Sequence, residues 1–265
     1  MLLAGRHLVI TGAGSGIGRA VALRAAADNP RAIVLADVNL GAVEAVAREV
    51  GGLAVHADVS REQDIRELVD RAREFGGPID LFYSNAGIAG PGGGPEAPDD
   101  ELERAWRINV MAHIWAARAV LPEMVERGDG YLVSTASAAG LLTQVSALAY
   151  SYTKHAAVAI AEWIAINYAE AGIRVSCLCP LAVRTPMLDL AMDDKVGASV
   201  MLADEVLEPA DVAEAVIQAI GEERFLILPH EIVGKYVALK GGDHERWLQG
   251  MRRVVRDARS SSHQC

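Results

Sequence analysis

The sequence predicts an α/β fold in three layers, a doubly wound and mostly parallel sheet of seven strands with helices on both faces. Short runs rich in β-branched residues alternate with helix-length amphipathic segments along the 265 residues. These runs are largely apolar instead of strictly alternating, as is typical of strands covered on both faces. Alternation of strand and helix requires right-handed crossovers, which place successive strands parallel to one another.

Each predicted strand is a short apolar run that ends near a polar or turn residue. The strands are 7–12, 32–37, 52–58, 79–85, 130–137, 173–180 and 224–229. Helical periodicity between them predicts helices at 17–28, 40–50, 61–75, 99–126, 147–171 and 209–220. No linker divides the chain, because the Gly- and Pro-rich segment 89–98 follows a strand, precedes a helix and is predicted as a surface loop. We therefore predict a single domain over 1–265.

Two segments near the end of the chain are predicted to surround a ligand. Segment 185–209 follows a strand end, where open α/β sheets bind ligands, and it is apolar in patches. It is predicted as a mobile substrate lid, with an ordinary helical insertion as the alternative. Segment 230–265 is a C-terminal extension in which Trp247, Met251 and Val254 have partial helical spacing. It is expected to pack on the lid, on a neighbouring subunit or on the core.

Composition excludes several classes of partner. The formal charge of −10 repels polyanions, so we expect neither nucleic acid nor an anionic membrane surface to bind. No apolar run reaches the roughly 18 residues that span a bilayer. Cys177 and Cys179 lie two apart in a predicted strand without companion ligands, so they are predicted as core residues and no metal is expected. Cys265 lies in a polar tail, and a reducing, cytoplasmic location follows from the absence of a disulfide framework.

The first strand–helix junction, VITGAGSGIGRAVAL, is predicted to bind phosphate. A strict G-x-G-x-x-G pattern fails in every register, but glycines recur at alternate positions. Backbone without Cβ atoms lets a pyrophosphate approach, and the helix N-terminus supplies free N–H groups. A glycine-rich structural turn is the alternative. The predicted contacts are Gly12, Gly14, Ser15, Gly16, Ile17 and Gly18.

An acidic residue at the end of the second strand predicts the identity of the cofactor. Asp37 follows Gly18 by 19 positions, where a carboxylate accepts hydrogen bonds from ribose hydroxyls and repels a 2′-phosphate. NAD(H) is therefore predicted over NADP(H). Arg19 favours the opposite choice unless it is simply an exposed helix residue. Asp58 is predicted to touch the adenine edge or to cap the next helix.

Six motifs stand in the order and approximate spacing of the short-chain dehydrogenase/reductase family, which the chain resembles from about residue 5 to 190. They are TGAGSGIG at 11–18, ADV at 57–59, SNAG at 84–87, Asn109 in RINV, Ser137 in STASAAG, and YSYTK at 150–154. The resemblance implies a Rossmann fold and a nicotinamide cofactor. It also implies cofactor contacts from Val59, Asn85, Ala86, Gly87, Pro180, Val183 and Thr185.

Helical spacing distinguishes the two tyrosines of the last motif. Tyr150 and Lys154 are four residues apart and so share one face of a helix. Tyr152 points elsewhere, and His155 is adjacent to Lys154 and so also lies off that face. We therefore expect Tyr150 and Lys154 to be functional and the other two side chains to be bystanders.

The resemblance implies a role for each of four residues. Tyr150 resembles the general acid/base, whose phenol pKa falls beside the Lys154 ammonium and a positively charged nicotinamide. Lys154 also resembles the lysine that holds the nicotinamide ribose. Ser137 resembles the serine that binds the substrate oxygen, and Asn109 the residue that positions a water leading protons away from the lysine.

The predicted substrate wall is apolar. It comprises Leu141, Leu142, Gln144, Val145, Leu181, Met187, Leu188 and Met192, beside Ser137 and Tyr150 at the reacting oxygen. The wall has one amide and no Arg or Lys, so we expect a neutral, hydrophobic secondary alcohol or its ketone. Leu181 stands where the family usually has glycine, which places a bulky side chain near the nicotinamide.

The last predictions concern the assembly of the protein and two alternative functions. Trp115, Trp163 and Ile164 are expected in a helix–helix interface of a homotetramer or homodimer. A catalytically silent dinucleotide sensor is one alternative, but it has no need of the serine, tyrosine and lysine. A sugar-nucleotide epimerase or dehydratase is the other, but such enzymes need a larger C-terminal domain.

Overall fold

The computed structural model describes residues 1–191, 194–201 and 204–261. All seven strands are parallel and form one sheet in the order β3-β2-β1-β4-β5-β6-β7. They are β1 His7–Thr11, β2 Ala32–Asp37, β3 Leu53–His56, β4 Leu81–Ser84, β5 Gly130–Thr135, β6 Ile173–Leu178 and β7 Leu226–Ile227. The order reverses between β1 and β4, which is the topological switch point where such sheets bind ligands. The predicted fold class is confirmed.

Helices of the described residues surround this sheet. They are α1 Gly16–Ala26, α2 Leu40–Val50, α3 Glu62–Gly76, α4 Asp99–Trp106, α5 Ala112–Arg127, α6 Ala139–Leu142, α7 Leu148–Tyr168, α8 Pro186–Ala191, α9 Lys195–Met201, α10 Pro209–Glu222, α11 Glu231–Gly242 and α12 His244–Ser261.

Two hydrophobic cores lie on opposite faces of the sheet. Val9 belongs to one core, whereas its neighbours Leu8 and Ile10 belong to the other. Successive side chains of a strand point to opposite faces, so a strand buried on both faces must be apolar throughout. The first core contains residues of α3, α5 and α7, and the second contains residues of α1, α2 and α10. This packing explains why the predicted strands lack polar alternation.

Several observed strands end before their predicted ends, at the carboxyl edge of the sheet. The predicted strand 130–137 ends at Thr135, and 173–180 ends at Leu178. Beyond those points the backbone continues into the loops of the site, although Ala136 still donates a 2.8 Å hydrogen bond to the Leu178 carbonyl. Ser137 therefore belongs to a loop and not to a strand.

The predicted helix 99–126 is interrupted. A π-helical turn, Arg107–Met111, lies between α4 and α5. Asn109 at its centre is fully buried. Its side chain makes hydrogen bonds to the backbone of Ile88, which lies outside the helix. π-turns inside α-helices are frequent at functional sites, and the single-helix prediction is wrong at this point.

The segment predicted as a lid contains helices, and a backbone bridge joins its two ends. Val183 and Leu207 form an isolated parallel bridge, in which Arg184 N–H donates to Leu207 at 2.9 Å and Leu207 N–H to Ala182 at 3.1 Å. The insertion between these residues carries α8 and α9. Met192 lies outside the described residues, and motion of the lid stays a prediction.

The C-terminal extension forms two helices, α11 and α12. Helix α12 contacts both α9 of the lid segment and α11. The predicted packing on the lid is therefore confirmed. Trp247 and Met251 face a cavity described below, whereas Val254 is exposed. Cys265 lies outside the described residues.

Burial decides three other predictions. Cys177 and Cys179 are fully buried, which confirms them as core residues. Trp115 and Ile164 also lie in the core of the protomer, so their predicted place in a subunit interface is wrong. Helical periodicity could not show which of several apolar faces the sheet covers. Trp163 stays 59% exposed.

No helix in the described ranges is long and apolar enough to cross a membrane.

Candidate active site

The turn between β1 and α1 packs directly against the segment after β4. A Cβ atom on Gly12 would lie 2.8 Å from the Cα atom of Ala86, and one on Gly18 would lie 2.3 Å from the Gly12 carbonyl oxygen. Gly12 and Gly16 also have φ angles of 64° and 51°, in the left-handed region that favours glycine. A side chain at Gly12 or Gly18 would clash with the neighbouring backbone, so these positions of the turn require glycine.

The N-terminus of α1 is available to an anion. Ser15 is the N-cap residue in extended conformation, and its exposed side chain makes no capping hydrogen bond. The first turn of α1 carries no acidic residue. Ile17 packs its side chain against the second core. The free N–H groups and the positive end of the helix dipole are the features that bind a phosphate, so these residues fit a dinucleotide.

Asp37 has a fixed orientation at the end of β2. Its Oδ2 atom accepts a 2.9 Å hydrogen bond from Gly14 N–H, and its Oδ1 atom accepts one of 2.9 Å from Asn39 N–H. A carboxylate has about four acceptor positions, so each oxygen retains capacity for a ribose hydroxyl. Arg19, the residue that favours a 2′-phosphate, pairs with Glu49 at 3.1 Å. Both observations fit the predicted preference for NAD(H).

Asp58 organises the turn that leads into α3. Its Oδ1 atom accepts a 2.9 Å hydrogen bond from Ser60 N–H, and its own N–H donates to Asp64 at 3.0 Å. Neither bond caps α3, because its N-cap residue is Arg61 and no side-chain capping bond is made there. The capping alternative is therefore wrong, and contact with adenine stays a prediction. The neighbouring Val59 is nearly buried, at 8% exposure.

Asn85 joins the glycine turn to the sheet. Its Nδ2 atom donates to the Thr11 carbonyl at 3.0 Å, and its backbone N–H donates to the Thr11 hydroxyl at 3.0 Å. The Thr135 hydroxyl lies 3.0 Å from Asn85 Oδ1. Thr11 and Thr135, which sequence reasoning missed as parts of the site, were detectable only as polar residues at strand ends.

Gly87, Asn109 and Lys154 meet at one point. A Cβ atom on Gly87 would lie 3.2 Å from Asn109 Oδ1 and 3.4 Å from Lys154 Nζ. Asn109 Oδ1 accepts a 2.9 Å hydrogen bond from Ile88 N–H, and Nδ2 donates one of 2.9 Å to the Ile88 carbonyl. The structure thus brings the predicted Asn109 beside the predicted Lys154. Positioning of a water by Asn109 stays a prediction.

Lys154 is a buried cation. Its side chain lies in a site where the residue is 2% exposed, and Nζ donates a 3.0 Å hydrogen bond to the Thr135 carbonyl. Burial lowers the lysine pKa to about 8, with a smaller opposing effect from Cys177 and Cys179. The Nζ atom lies 5.6 Å from the centroid of the Tyr150 ring. Helical spacing correctly predicted this pairing.

Tyr150 and Ser137 form the predicted reacting pair. Burial raises the pKa of the Tyr150 phenol, and a hydrogen bond with the Ser137 side chain acts in the opposite direction. Ser137 is 7% exposed, and its Oγ accepts a 3.1 Å hydrogen bond from Ala139 N–H. Two neighbouring hydroxyls in a buried setting can bind one oxygen atom of an alcohol or ketone between them.

The two bystanders predicted on α7 are turned away from this pair. The Tyr152 hydroxyl donates a 3.2 Å hydrogen bond to the Leu102 carbonyl, and its ring lies 6.1 Å from that of Trp106. His155 Nδ1 lies 2.8 Å from the Ser151 carbonyl oxygen. Their interactions are with neighbouring helical residues and not with the reacting groups.

The loop between α6 and α7 is strained and hydrogen-bonds to the lid segment. Thr143 and Ser146 have φ angles of 81° and 62°, uncommon for residues other than glycine. The Ser151 hydroxyl accepts a 3.0 Å hydrogen bond from Gln144 N–H and donates one of 2.9 Å to the Gln144 carbonyl. The Gln144 amide then donates to the Gly197 carbonyl of α9 at 3.3 Å. Gln144 therefore holds the lid segment in addition to lying in the predicted wall.

His230 anchors the segment after β6, although sequence reasoning gave it no role. Its Nδ1 accepts a 3.2 Å hydrogen bond from Leu181 N–H, which leaves Nε2 to donate to the Ala182 carbonyl at 3.1 Å. This pairing requires the neutral Nε2–H tautomer. Because 49 residues separate His230 from Leu181, no local pattern could reveal the contact.

The residues predicted to approach the nicotinamide lie near the glycine turn. The Thr185 hydroxyl donates a 3.3 Å hydrogen bond to the Val183 carbonyl. Its Cγ2 atom lies 3.1 Å from the position that a Cβ atom on Gly16 would occupy. Pro180 presents its carbonyl 3.5 Å from Ser137 Oγ. The loop after β6 therefore reaches both the glycine turn and the reacting serine.

His113 is buried without a complete set of partners. It is 4% exposed, and no partner for its Nδ1 atom exists among the described residues. Burial, with a smaller effect of the Lys154 charge, lowers its pKa to about 3. The ring is therefore neutral at physiological pH.

Two residues of the predicted substrate wall line a cavity beside the C-terminal helices. Leu142 and Val145 line a cavity of about 890 Å³ together with residues of α11 and α12. Leu181 packs in the adjoining cluster with Trp247, and Met187 is half-buried on α8. Ser137 and Tyr150 are not among its lining residues, so the absence of Arg and Lys from the substrate wall stays a prediction. Basic side chains do line this cavity. They come from the C-terminal helices. These helices are far in sequence from the predicted wall residues, so they were not included in the predicted wall.

Comparisons with known proteins agree with this geometry. A family model described as short chain dehydrogenase matches residues 6–196. The chain is 36% identical to a 1-deoxy-11-beta-hydroxypentalenate dehydrogenase of Streptomyces exfoliatus over 86% of this chain and 84% of that protein. A short chain dehydrogenase/reductase of Burkholderia phymatum, solved in complex with NAD, superposes with a TM-score of 0.85 and 31% identity over 92% of this chain and 96% of that one.

A second solved structure carries the other form of the cofactor. A short-chain dehydrogenase of Sphingobium yanoikuyae, in complex with NADPH, has a TM-score of 0.78 and 26% identity over 92% of this chain and 95% of that one. Similar proteins thus bind either nicotinamide dinucleotide.

Proposed function

The chain belongs to the short-chain dehydrogenase family, and from this premise we propose that it is an NAD-dependent oxidoreductase that interconverts a hydrophobic secondary alcohol and its ketone. The observation that carries the proposal is the grouping of Tyr150 with the buried side chains of Ser137 and Lys154. A sensor that only bound the dinucleotide would have no use for a phenol and a serine hydroxyl in contact.

The residues of the chain perform the proton chemistry. Ser137 binds the substrate oxygen and Tyr150, as phenolate, removes the hydroxyl proton from the alcohol. Lys154 lies beside the phenol as a cation, which favours the phenolate against the effect of burial. When bound, NAD supplies the acceptor for the hydride that leaves the alcohol carbon. In the reverse direction Tyr150 returns the proton to the oxygen of the ketone.

The cofactor would be held by the carboxyl edge of the sheet. The bare turn around Gly12 and the uncapped start of α1 fit the pyrophosphate, and Asp37 fits the adenosine ribose. A 2′-phosphate at Asp37 would bring together two negative charges, and the one basic residue that favours it in the sequence, Arg19, lies 3.1 Å from Glu49. The charge of Asp37 therefore supports NAD over NADP. The reaction is proposed to take place in the cytoplasm, in keeping with buried, unpaired Cys177 and Cys179.

The reacting part of the substrate is proposed to be neutral and apolar. Leu142, Val145 and Leu181 are the nearby apolar side chains of the predicted wall. The name of the Streptomyces exfoliatus relative states a hydroxyl-bearing substrate and a dehydrogenation. Both observations support a hydrophobic alcohol as the reduced partner.

A panel of secondary alcohols tests the proposal. The purified protein is mixed with each alcohol and either NAD or NADP, and the absorbance of the reduced nicotinamide is followed. We expect turnover of apolar alcohols with NAD and a higher kcat/KM than with NADP. Absence of turnover of every alcohol and ketone, with retained NADH binding, would instead favour the silent sensor.

We also propose that the protein acts as a homodimer or homotetramer that uses the outer face of α7. Trp163 and Ile166 on that face are 59% and 76% exposed, an unusual display for large apolar side chains. Sedimentation of the wild type and of Trp163→Glu tests this assembly. The variant is expected to sediment as a smaller species, and a monomeric wild type would refute the proposal.

A further inference from the structure

The cavity between the loop after α6 and the C-terminal helices is large enough for a whole small molecule. Its volume of about 890 Å³ lies near the upper end of the usual range for ligand sites, about 300–1,000 Å³. The lining residues come from three places in the chain. They are Leu142, Thr143, Val145, Lys240, His244, Trp247, Leu248, Met251, Arg252, Val255, Arg256, Arg259 and Ser260.

One side of the cavity is apolar. Trp247, Leu248, Met251 and Val255 recur at helical spacing on α12 and so form a single stripe that lines the cavity. Leu142 and Val145 belong to the opposite wall. Such walls favour the burial of a hydrocarbon body, at about 25 cal/mol for each Å² of apolar surface removed from water.

The remaining lining side chains include four cations and no carboxylate. Lys240, Arg252, Arg256 and Arg259 line the cavity, and no Asp or Glu does so among the described residues. This concentration of positive charge occurs on a chain whose formal net charge is −10. Arg252, Arg256 and Arg259 are spaced by four and three residues, which places them along one face of α12.

The partners of Lys240, Arg252 and Arg256 leave the charges of these three side chains available. Lys240 donates a 2.6 Å hydrogen bond to the Leu141 carbonyl, which positions it without neutralising it. Arg256 pairs with Asp257 at 3.3 Å, but both side chains are about 70% exposed, so the pair is weak. The Arg252 side chain makes no hydrogen bond or ion pair within the described part of the chain.

We propose that this cavity is a separate binding site for an amphipathic anion, a molecule with a hydrocarbon body and a terminal carboxylate or phosphate. The apolar stripe of α12 holds the body, and the cations Arg252 and Arg256 pair with the head group. Ser137, Tyr150 and Lys154 do not line the cavity, so the proposal does not depend on the proposed function. A neutral ligand would leave the basic side chains of the lining without a partner.

The cavity adjoins the reacting groups through a short helix. Ser137 precedes Leu142 by five residues, and most of that interval is α6, so about 7–8 Å separates them along the chain. Trp247 packs in the cluster that contains Ala138, the residue after Ser137. This packed cluster therefore lies between the cavity and the reacting serine, which is not among the lining residues.

The test compares three ligands of one chain length by titration calorimetry with the full-length protein. Decanoate, decyl phosphate and decan-1-ol share the hydrocarbon body and differ in the head group, and each is used below its micelle concentration. We expect at least one of the two anions to bind about tenfold or more tightly than decanol. The tighter anion identifies the head group, carboxylate or phosphate.

Variants of α12 assign the effect to the proposed residues. The double variant Arg252→Gln/Arg256→Gln is expected to weaken anion binding about tenfold or more and to leave decanol unchanged. Arg253→Gln is the matched control, because it removes the same charge from the adjacent position on α12, outside the cavity lining. Trp247→Ala should weaken all three ligands.

Several results would overturn the assignment. Equal binding of decanol and both anions, no binding of any ligand, or an equal loss in Arg253→Gln would each do so. A double variant that changes the sedimentation coefficient but not anion binding would show that the cavity is an interface between copies. The calorimetric readout needs no turnover, so anion binding without any alcohol oxidation would refute only the proposed function. Oxidation of neutral alcohols without anion binding would refute only the cavity.

Discussion

The Lys154 ammonium group donates a 3.0 Å hydrogen bond to the backbone carbonyl of Thr135, the last residue of β5. The bond joins α7 to the carboxyl edge of the sheet in a region that is almost entirely buried. It holds the lysine 5.6 Å from the Tyr150 ring centroid, close enough for its charge to act on the phenol. The catalytic pair thus depends on a backbone atom 19 residues away.

Tyr150→Phe is expected to reduce kcat about 10²–10⁴-fold, the usual contribution of a general acid/base. NADH binding should remain near the wild-type value, because only the hydroxyl is lost. The measurements are turnover of the best alcohol and titration of NADH. Tyr152→Phe is the control, since that hydroxyl bonds to Leu102 and should be dispensable. Full activity of Tyr150→Phe would rule out the proton chemistry proposed above.

Asp37→Asn is expected to lower the preference for NAD over NADP by about tenfold or more. The amide retains an oxygen acceptor but lacks the charge that repels a 2′-phosphate. The ratio of kcat/KM for the two cofactors measures the change. Glu44→Gln removes a charge from the exposed side of α2 and should leave the ratio unchanged. A wild type that prefers NADP would contradict the role assigned to Asp37.

Lys154→Met is expected to stabilise the cofactor-free protein at pH 7 while lowering its activity. The fall of the lysine pKa from 10.5 to about 8 corresponds to ~3 kcal/mol for burying the charge. Loss of the bond to Thr135 offsets about 1 kcal/mol. We therefore expect a net gain on the order of 1–2 kcal/mol in the free energy of unfolding, measured in urea.

The stability difference between Lys154→Met and the wild type is expected to depend on pH. The pKa is lower in the folded state, so between about pH 8 and 10.5 the unfolded chain binds more protons at this position. This lysine therefore makes wild-type stability rise with pH across that window, and the advantage of Lys154→Met should shrink there. Lys235→Met, at an exposed position of α11, is the control and should show no such trend. A variant less stable than the wild type at every pH would contradict the argument.

His230→Ala is expected to raise the KM for the alcohol and to lower kcat/KM by roughly tenfold. The change removes both hydrogen bonds that hold Leu181 and Ala182 beside the site. His230→Gln, whose amide supplies a donor and an acceptor, should recover much of the loss. His56→Ala replaces an exposed histidine and serves as the control. Failure of the glutamine variant to differ from alanine would show that the bonds themselves do not matter.

Local sequence patterns were sufficient for the order of the elements and for the face shared by Tyr150 and Lys154. Apolar runs of strand length and helical periodicity depend on neighbouring residues, and a spacing of four fixes which side chains adjoin on a helix. Glycines at alternate positions likewise indicated a turn open to phosphate. The bounds of strands and the π-turn at Asn109 were not predicted, because both depend on hydrogen bonds to other segments.

Only the tertiary structure decided which distant groups complete the site. His230 reaches Leu181 across 49 residues, the Thr135 carbonyl accepts a hydrogen bond from Lys154, and α12 brings basic side chains to an apolar cavity. Packing also placed Trp115 in the core and left Trp163 exposed. The physical reason is the same in each case: contacts between elements far apart in the chain are set by the packing of whole helices on a sheet, and no local spacing encodes them.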